Sequence, residues 1–221
     1  DHCPNTHTTC GEPPVMLHVA VQFMPVLLSG FLVNLEIGLA ATVIAVVFGV
    51  PLAMLRRGFA ITRPSVGLAV RLMQALPTYV VMFIVLNMLP RDLMLYGRPI
   101  AGLTAVVFAQ SIYLIAYVAE DATEALGHLD RNDRERALLF LPNLLRGFTV
   151  VVMSSGFGAA VGVSEAVNAT MHQAERLPAI GDRITLFAVA IGFFAIIVGG
   201  LNIVIRHFVA KLVPRVVHNV G

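Results

Sequence analysis

Five apolar runs divide the chain. They cover residues 31–55, 65–89, 100–126, 147–163 and 184–205, and short polar stretches separate them. A helix needs about 20 apolar residues to cross a bilayer core, so the runs predict five transmembrane helices. The second contains Pro77, which predicts a kink because proline removes a backbone donor and crowds the preceding turn. The fourth, "GFTVVVMSSGFGAAVGV", is short and rich in small residues. Residues 15–30 are apolar but interrupted by Pro25, and they predict a separate interfacial helix. Between the last two runs, "SEAVNATMHQAERLP" predicts a short amphipathic helix. Ser164 is its expected N-cap and Glu165 sits in the first turn. Ala166, Val167, Thr170 and Met171 form the expected face, and Pro178 the stop. The pattern predicts an all-α integral membrane bundle, a single transmembrane domain over 1–221 with a polar tail at 1–14 and a second tail at 206–221.

Composition agrees with the pattern. The 221 residues are 57% hydrophobic and 13% charged, with a mean hydropathy of +0.83. A soluble domain carries roughly 25% charge, so this chain is too poor in charge to solvate a globular surface. A net charge of +2 says little about partners, but no Lys/Arg tract resembles a nucleic-acid patch, and the expected surroundings are membrane lipid with no nucleic acid. The distribution of charge says more than its sum. Arg56, Arg57, Arg63, Arg131, Arg134, Arg136, Arg146, Arg206, Lys211 and Arg215 fall on one side of the predicted topology, against Arg91, Arg98, Arg176 and Arg183 on the other. The positive-inside rule then predicts N-out, C-in.

That orientation places "DHCPNTHTTCGEPP" outside. Asp1 rather than Met opens the sequence, as after processing or in a piece of a longer chain. In an oxidising compartment Cys3 and Cys10 suggest a disulfide. Free thiols are one alternative, and a metal held with His2 and His7 is a weaker one, four ligands in so short a tail being a poor pattern.

No Walker A, His-Glu-x-x-His or Gly-x-Ser-x-Gly pattern is present. The sequence therefore names no catalytic residue, no resident metal and no cofactor. The chemistry-bearing residues are polar groups at membrane depth. Glu36 lies one turn into the first run, where a carboxylate at mid-membrane costs about 2.5–3.5 kcal/mol. It is either a pathway residue or a water-exposed one near the outer face. Gln74 and Gln110 read as pathway residues or as inter-helix hydrogen bonds, and Ser154 and Ser155 as pore lining or as close packing of small residues. Arg71 reads as snorkelling, or as paired with Glu120 or Asp121.

A family resemblance follows from the order of motifs. "LLSGFLVNLEIGLAATVIAVVFGVPLAMLRR" resembles the first span of the polar-amino-acid type ABC transporter permeases, and "RLMQALPTYVVMFIVL" resembles their second. "AYVAEDATEALGHLDRNDRERA" is similar to the family's Ala-Tyr-x-x-Glu motif running into its cytoplasmic coupling loop: Ala116, Tyr117, Glu120, Glu135 and Ala137 match, with Arg136 intruding. In "MSSGFGAAVGVSEA", Val163 and Glu165 match the family's Val-Pro-Glu, while Met153 stands in place of a lysine. The resemblance implies a permease-type subunit of the bacterial inner membrane, multi-pass, beside a second permease-type subunit. An ATPase subunit and an outer-face binding protein would be its partners. Asp133, Arg134, Glu135, Arg136 and Ala137 would form the coupling loop, and Tyr117, Glu120 and Pro77 would be structural. The loop is roughly twenty residues shorter than the family's, leaving a stub where a docking helix needs two to three turns at about 1.5 Å per residue. This departure raises a second expectation, a permease-derived anchoring subunit of an unrelated complex.

Overall fold

The structure is a computed structural model and describes residues 15–58, 61–90, 92, 94–95 and 98–212. Cys3 and Cys10, and so the expected disulfide, lie outside the described residues. The described residues form eight α-helices in order: α1 (Val15–Gly58), α2 (Thr62–Ala75), α3 (Thr78–Met88), α4 (Ala101–Asp130), α5 (Arg134–Ala137), α6 (Phe140–Ser154), α7 (Ala166–Glu175) and α8 (Ile180–Leu212). A 3₁₀ turn, Ser155–Val161, extends α6. The departure from an all-α chain is a small antiparallel hairpin, β1 (Met94–Leu95) with β2 (Arg98–Pro99), ahead of α4.

Among the described residues four helices are long and apolar enough to cross a membrane, and the count is five when α2 and α3 are taken as one broken span. The expected break near Gly30 is absent. α1 runs for 44 residues through Pro25 and Pro51, about 66 Å at 1.5 Å per residue and well beyond a ~30 Å core. In apolar surroundings a helix tolerates the bond a proline forfeits, because leaving the helix exposes many more backbone groups. The Pro77 kink is present and sharp: α2 and α3 meet at 89°. Proline drives the residue before it out of the α region, and Leu76 is extended at φ −73°, ψ 122°.

α1 and α4 form the most extensive pairing in the molecule. Small residues allow it. Gly49 of α1 faces α4 so closely that a Cβ there would lie 2.9 Å from the Ile115 carbonyl oxygen and from Val118 Cβ. Ala41 and Ala45 pack fully buried with Leu114, Val118 and Val151. A second cluster joins Ile37, Met82, Ala105, Val106, Ala109 and Val163. A third gathers Phe23, Leu27, Phe31, Val152, Leu186 and Ala190, with the Phe31 ring edge-on to Phe193 and Phe194 at 5.4 and 5.8 Å. Leu32, Leu39, Val43, Val47 and Phe48 of α1 and Ile184, Ile191, Ile196 and Ile203 of α8 are exposed. Such apolar outer faces suit a helix surrounded by lipid or by another apolar chain.

The expected amphipathic helix exists as α7, with two corrections. Its N-cap is Glu165 rather than Ser164, because the longer carboxylate side chain reaches both the Val167 and Asn168 N–H groups. Its buried face is Ala166, Thr170 and Ala174, while Val167 and Met171 are exposed. This is the i, i+4, i+8 stripe that a 3.6-residue turn dictates.

Candidate functional site

Two polar regions stand out in an otherwise apolar bundle. The first is a buried node where α1, the 3₁₀ turn and α7 meet. Asn34, Ser155 and Glu165 are each wholly buried. Asn34 Nδ2 donates to Ser155 Oγ at 2.7 Å and to Glu165 Oε2 at 3.1 Å, and Asn34 Oδ1 accepts from the Ala166 N–H at 3.1 Å. Glu165 Oε2 also accepts from the Val167 N–H and Oε1 from the Asn168 N–H, both at 2.8 Å. Ser155 Oγ donates onward to the Val152 carbonyl at 2.7 Å. The carboxylate thus closes the N-terminus of α7, where the helix dipole favours a negative charge. Burial nevertheless raises the Glu165 pKa above its ordinary 4.5, opposed by the Val167 and Asn168 N–H groups and then by Asn34. Gly30 permits the approach: a Cβ there would lie 2.8 Å from Ala166 Cα and N.

The second region is the end of the bundle formed by α2, the C-terminal half of α4, α5 and the start of α6. Gln74 Nε2 donates to Glu120 Oε2 at 2.7 Å, tying α2 to α4. Arg71 turns instead to the Gly67 carbonyl of its own helix at 3.2 Å, so neither expected carboxylate partner takes it. Tyr117 and Glu120 sit one turn apart but serve different neighbours, Tyr117 OH donating to the Asn143 carbonyl on α6 at 3.3 Å. Asn143 Nδ2 donates to Asp121 Oδ1 at 2.7 Å. Asp121 Oδ2 is buried without a donor among the described residues, an arrangement that ordinarily costs about 1–3 kcal/mol. Arg57 at the end of α1 bonds the Thr123 carbonyl at 3.0 Å and pairs with Asp130.

α4 gives way to α5 through Asn132, which takes the left-handed region at φ 59°, a conformation asparagine adopts more readily than most residues. Asp133 caps α5, its Oδ1 accepting from the Arg136 N–H at 3.2 Å and its Oδ2 lying 3.3 Å from Arg136 Nε. His128 lies between Glu124 and Asp133, at 3.8 and 3.9 Å. Arg134 and Arg136 are exposed, Glu135 and Ala137 half-buried. α5 is a four-residue turn.

The structure brings the expected pathway residues to separate places. Glu36 is exposed beside Leu32 and Leu39, Gln74 is at the Glu120 contact, and Gln110 is buried with Ala109 and Ser111 on α4. Ser154 is half-buried, its hydroxyl donating to the Val151 carbonyl at 3.2 Å, and Ser155 belongs to the Asn34 node. Asn34 was not singled out from the sequence. Its partners are 121 and 131 positions away, and the available signal was an amide inside an apolar run. Among the described residues no cluster of three His, Cys, Asp or Glu side chains is arranged for a metal ion.

No protein-family model matches the sequence, and no curated protein does. Solved structures do match in three dimensions. One is a chain of an amino acid ABC transporter crystallised with histidines, at 17% identity and a TM-score of 0.73, covering 91% of this chain and 100% of the other. Another is a chain of the MetNI methionine ABC transporter in an inward-facing conformation, at 18% identity and a TM-score of 0.60, covering 86% and 97%. One chain from each of two ABC transporters superposes along nearly its whole length on helices built from a different sequence, and the chain accordingly has the fold of ABC transporter permease chains.

Proposed function

We propose that the chain is a membrane-spanning permease-type subunit of an ABC importer-like complex for polar amino acids or similar small solutes. The observation that carries this reading is the superposition on a complete chain of an amino acid transporter at a TM-score of 0.73. The motif order of Ala116, Tyr117, Glu120, Glu135, Val163 and Glu165 supports it from the sequence. The chain works beside a second permease-type subunit, and ATP hydrolysis belongs to a separate subunit seated against Asp133–Ala137. A binding protein delivers solute to the opposite face, where α7 lies. The Lys/Arg distribution supports N-out, C-in in a bacterial inner membrane. Glu36, Gln74, Gln110, Ser154 and Ser155 remain the proposed pathway residues, of which Glu36 and Gln74 are exposed and Gln110 and Ser155 buried.

A second reading has one specific observation in its favour. α5 is a four-residue turn ahead of α6, and Arg136 interrupts the matched motif. A permease-derived anchoring subunit without ATPase coupling fits such a stub. Purification of the native complex in mild detergent, followed by identification of every co-purifying chain and by ATP-driven uptake in proteoliposomes, separates the two. Recovery of an ATPase subunit with ATP-dependent uptake supports the importer. A complex with an unrelated soluble partner and no ATPase sinks it.

A further inference from the structure

We propose that the cavity between α4, α5 and α6 is a second seat for the Arg136 guanidinium, so that the α5 loop has two arrangements. The cavity measures about 60 Å³, and both Asp121 and Arg136 border it. That is room for one or two water molecules, or for the head of a side chain in their place. Asp121 Oδ1 is taken by Asn143 Nδ2, while Oδ2 is buried and has no donor among the described residues. A carboxylate accepts through both oxygens, and a buried acceptor left without a donor is uncommon enough to need a physical reason.

The other polar groups around the cavity do not supply that donor. Asn143 already donates to Oδ1. His128 is directed between Glu124 and Asp133, and Glu124 repels Asp121 wherever both are ionised. The remaining lining, Leu139 and Phe140 among it, is apolar. Arg136 is different. It keeps its charge, carries five N–H donors in a planar fork and suits a carboxylate. Its side chain is 60% exposed and held by Asp133 Oδ2 at 3.3 Å. Rotation of that side chain exchanges Asp133 for Asp121 and so trades one carboxylate for another. The Arg136 N–H stays on Asp133 Oδ1, so α5 keeps its cap. The exchange withdraws one positive charge from the loop surface and leaves Asp133 facing His128.

Arginine modification by phenylglyoxal, read for each peptide by mass spectrometry on the full chain in mild detergent, tests this. Asp133→Asn preserves the cap, asparagine being as good an N-cap as aspartate, but removes the surface carboxylate. Arg136 then moves into the cavity, and its modification slows severalfold. Adding Asp121→Asn to that variant keeps an oxygen for Asn143 and presents an amide N–H to the seat, so the slowed modification of Arg136 returns to at least the parent rate. Arg131 in the same digest reports that the loop is intact. The proposal is overturned if Asp133→Asn does not slow modification of Arg136, as plain loss of the Asp133 carboxylate would give, or if adding Asp121→Asn leaves the slowed rate unchanged. Should Asp121→Asn fail to fold, Asp133→Asn decides alone.

Discussion

Asn34 shows how much one side chain holds in this bundle. Through its amide it joins α1 to the 3₁₀ turn and to α7. Asn34→Leu leaves the Ala166 N–H unpaired and removes a donor from Glu165. The expected loss is about 1–3 kcal/mol for the buried groups, seen as a lowered thermal midpoint by circular dichroism in detergent. An unchanged midpoint would remove the node from the account. Glu165 gives the node a pH dependence. Its folded pKa is raised above 4.5, chiefly by burial, so the folded state holds the proton more tightly than the unfolded state does. That contribution is fully present below 4.5 and is lost as pH rises through the raised folded value. Glu165→Gln should flatten this part of the stability profile, and an undiminished slope in the variant would assign the effect to another group. The sequence exposed Glu165 as a motif residue near a helix start. It did not expose Asn34, because a hydrogen bond across more than a hundred positions leaves no local pattern.

Elements were legible where one physical rule governed them. The apolar runs located α4 and α8, and the pre-proline constraint located the break between α2 and α3. The fusion of residues 15–30 with the first span was not legible. Pro25 reads as an interruption, yet the structure keeps the helix, with the Ser29 hydroxyl donating to the Val26 carbonyl at 2.8 Å inside it. The face of α7 was misjudged because Val167 and Met171 are apolar but turned outward, a distinction that depends on which neighbour α7 meets. Gly30 tests that neighbour. Gly30→Val forces α7 away from α1, and overpacking typically costs about 1–3 kcal/mol. A thermal midpoint equal to that of the parent protein would show that α7 is not seated there. If the proposed ATPase subunit docks at α5, charge reversal at Arg134 and Arg136 should uncouple ATP hydrolysis from transport in the reconstituted complex. Exposed charges seldom change stability by more than ~0.5 kcal/mol, so the fold should survive. Intact coupling in that variant would remove α5 from the proposed ATPase contact.

At the scale of the whole molecule the fold was predicted from hydropathy and motif order, and the superposition on two transporter chains bears it out. Sidedness is a separate matter, since a helical bundle has the same internal packing either way up. Single-cysteine variants labelled with an impermeant maleimide in intact cells decide it. A cysteine at Glu175 should react and one at Asp133 should not, and the reverse pattern would invert the topology. Mass spectrometry of the non-reduced N-terminal peptide should find Cys3 and Cys10 joined, with two hydrogens fewer than the dithiol. Two alkylatable thiols under native oxidising conditions would contradict both the pairing and the compartment.

The two fastenings of α1 have a mechanical consequence. Asn34 fixes it to the 3₁₀ turn and α7, and Arg57, about 35 Å further along at 1.5 Å per residue, fixes it to the end of α4. Between them the close contact at Gly49 leaves no slack against α4. A rod held near its middle, at one end and along its side resists bending over that half. The chain turns through 89° at Leu76–Pro77, where Pro77 has no N–H to return to the Met73 carbonyl, and bending is expected at that break. A load applied at the α4–α5 end would be transmitted whole by α1 and α4 and absorbed at that elbow.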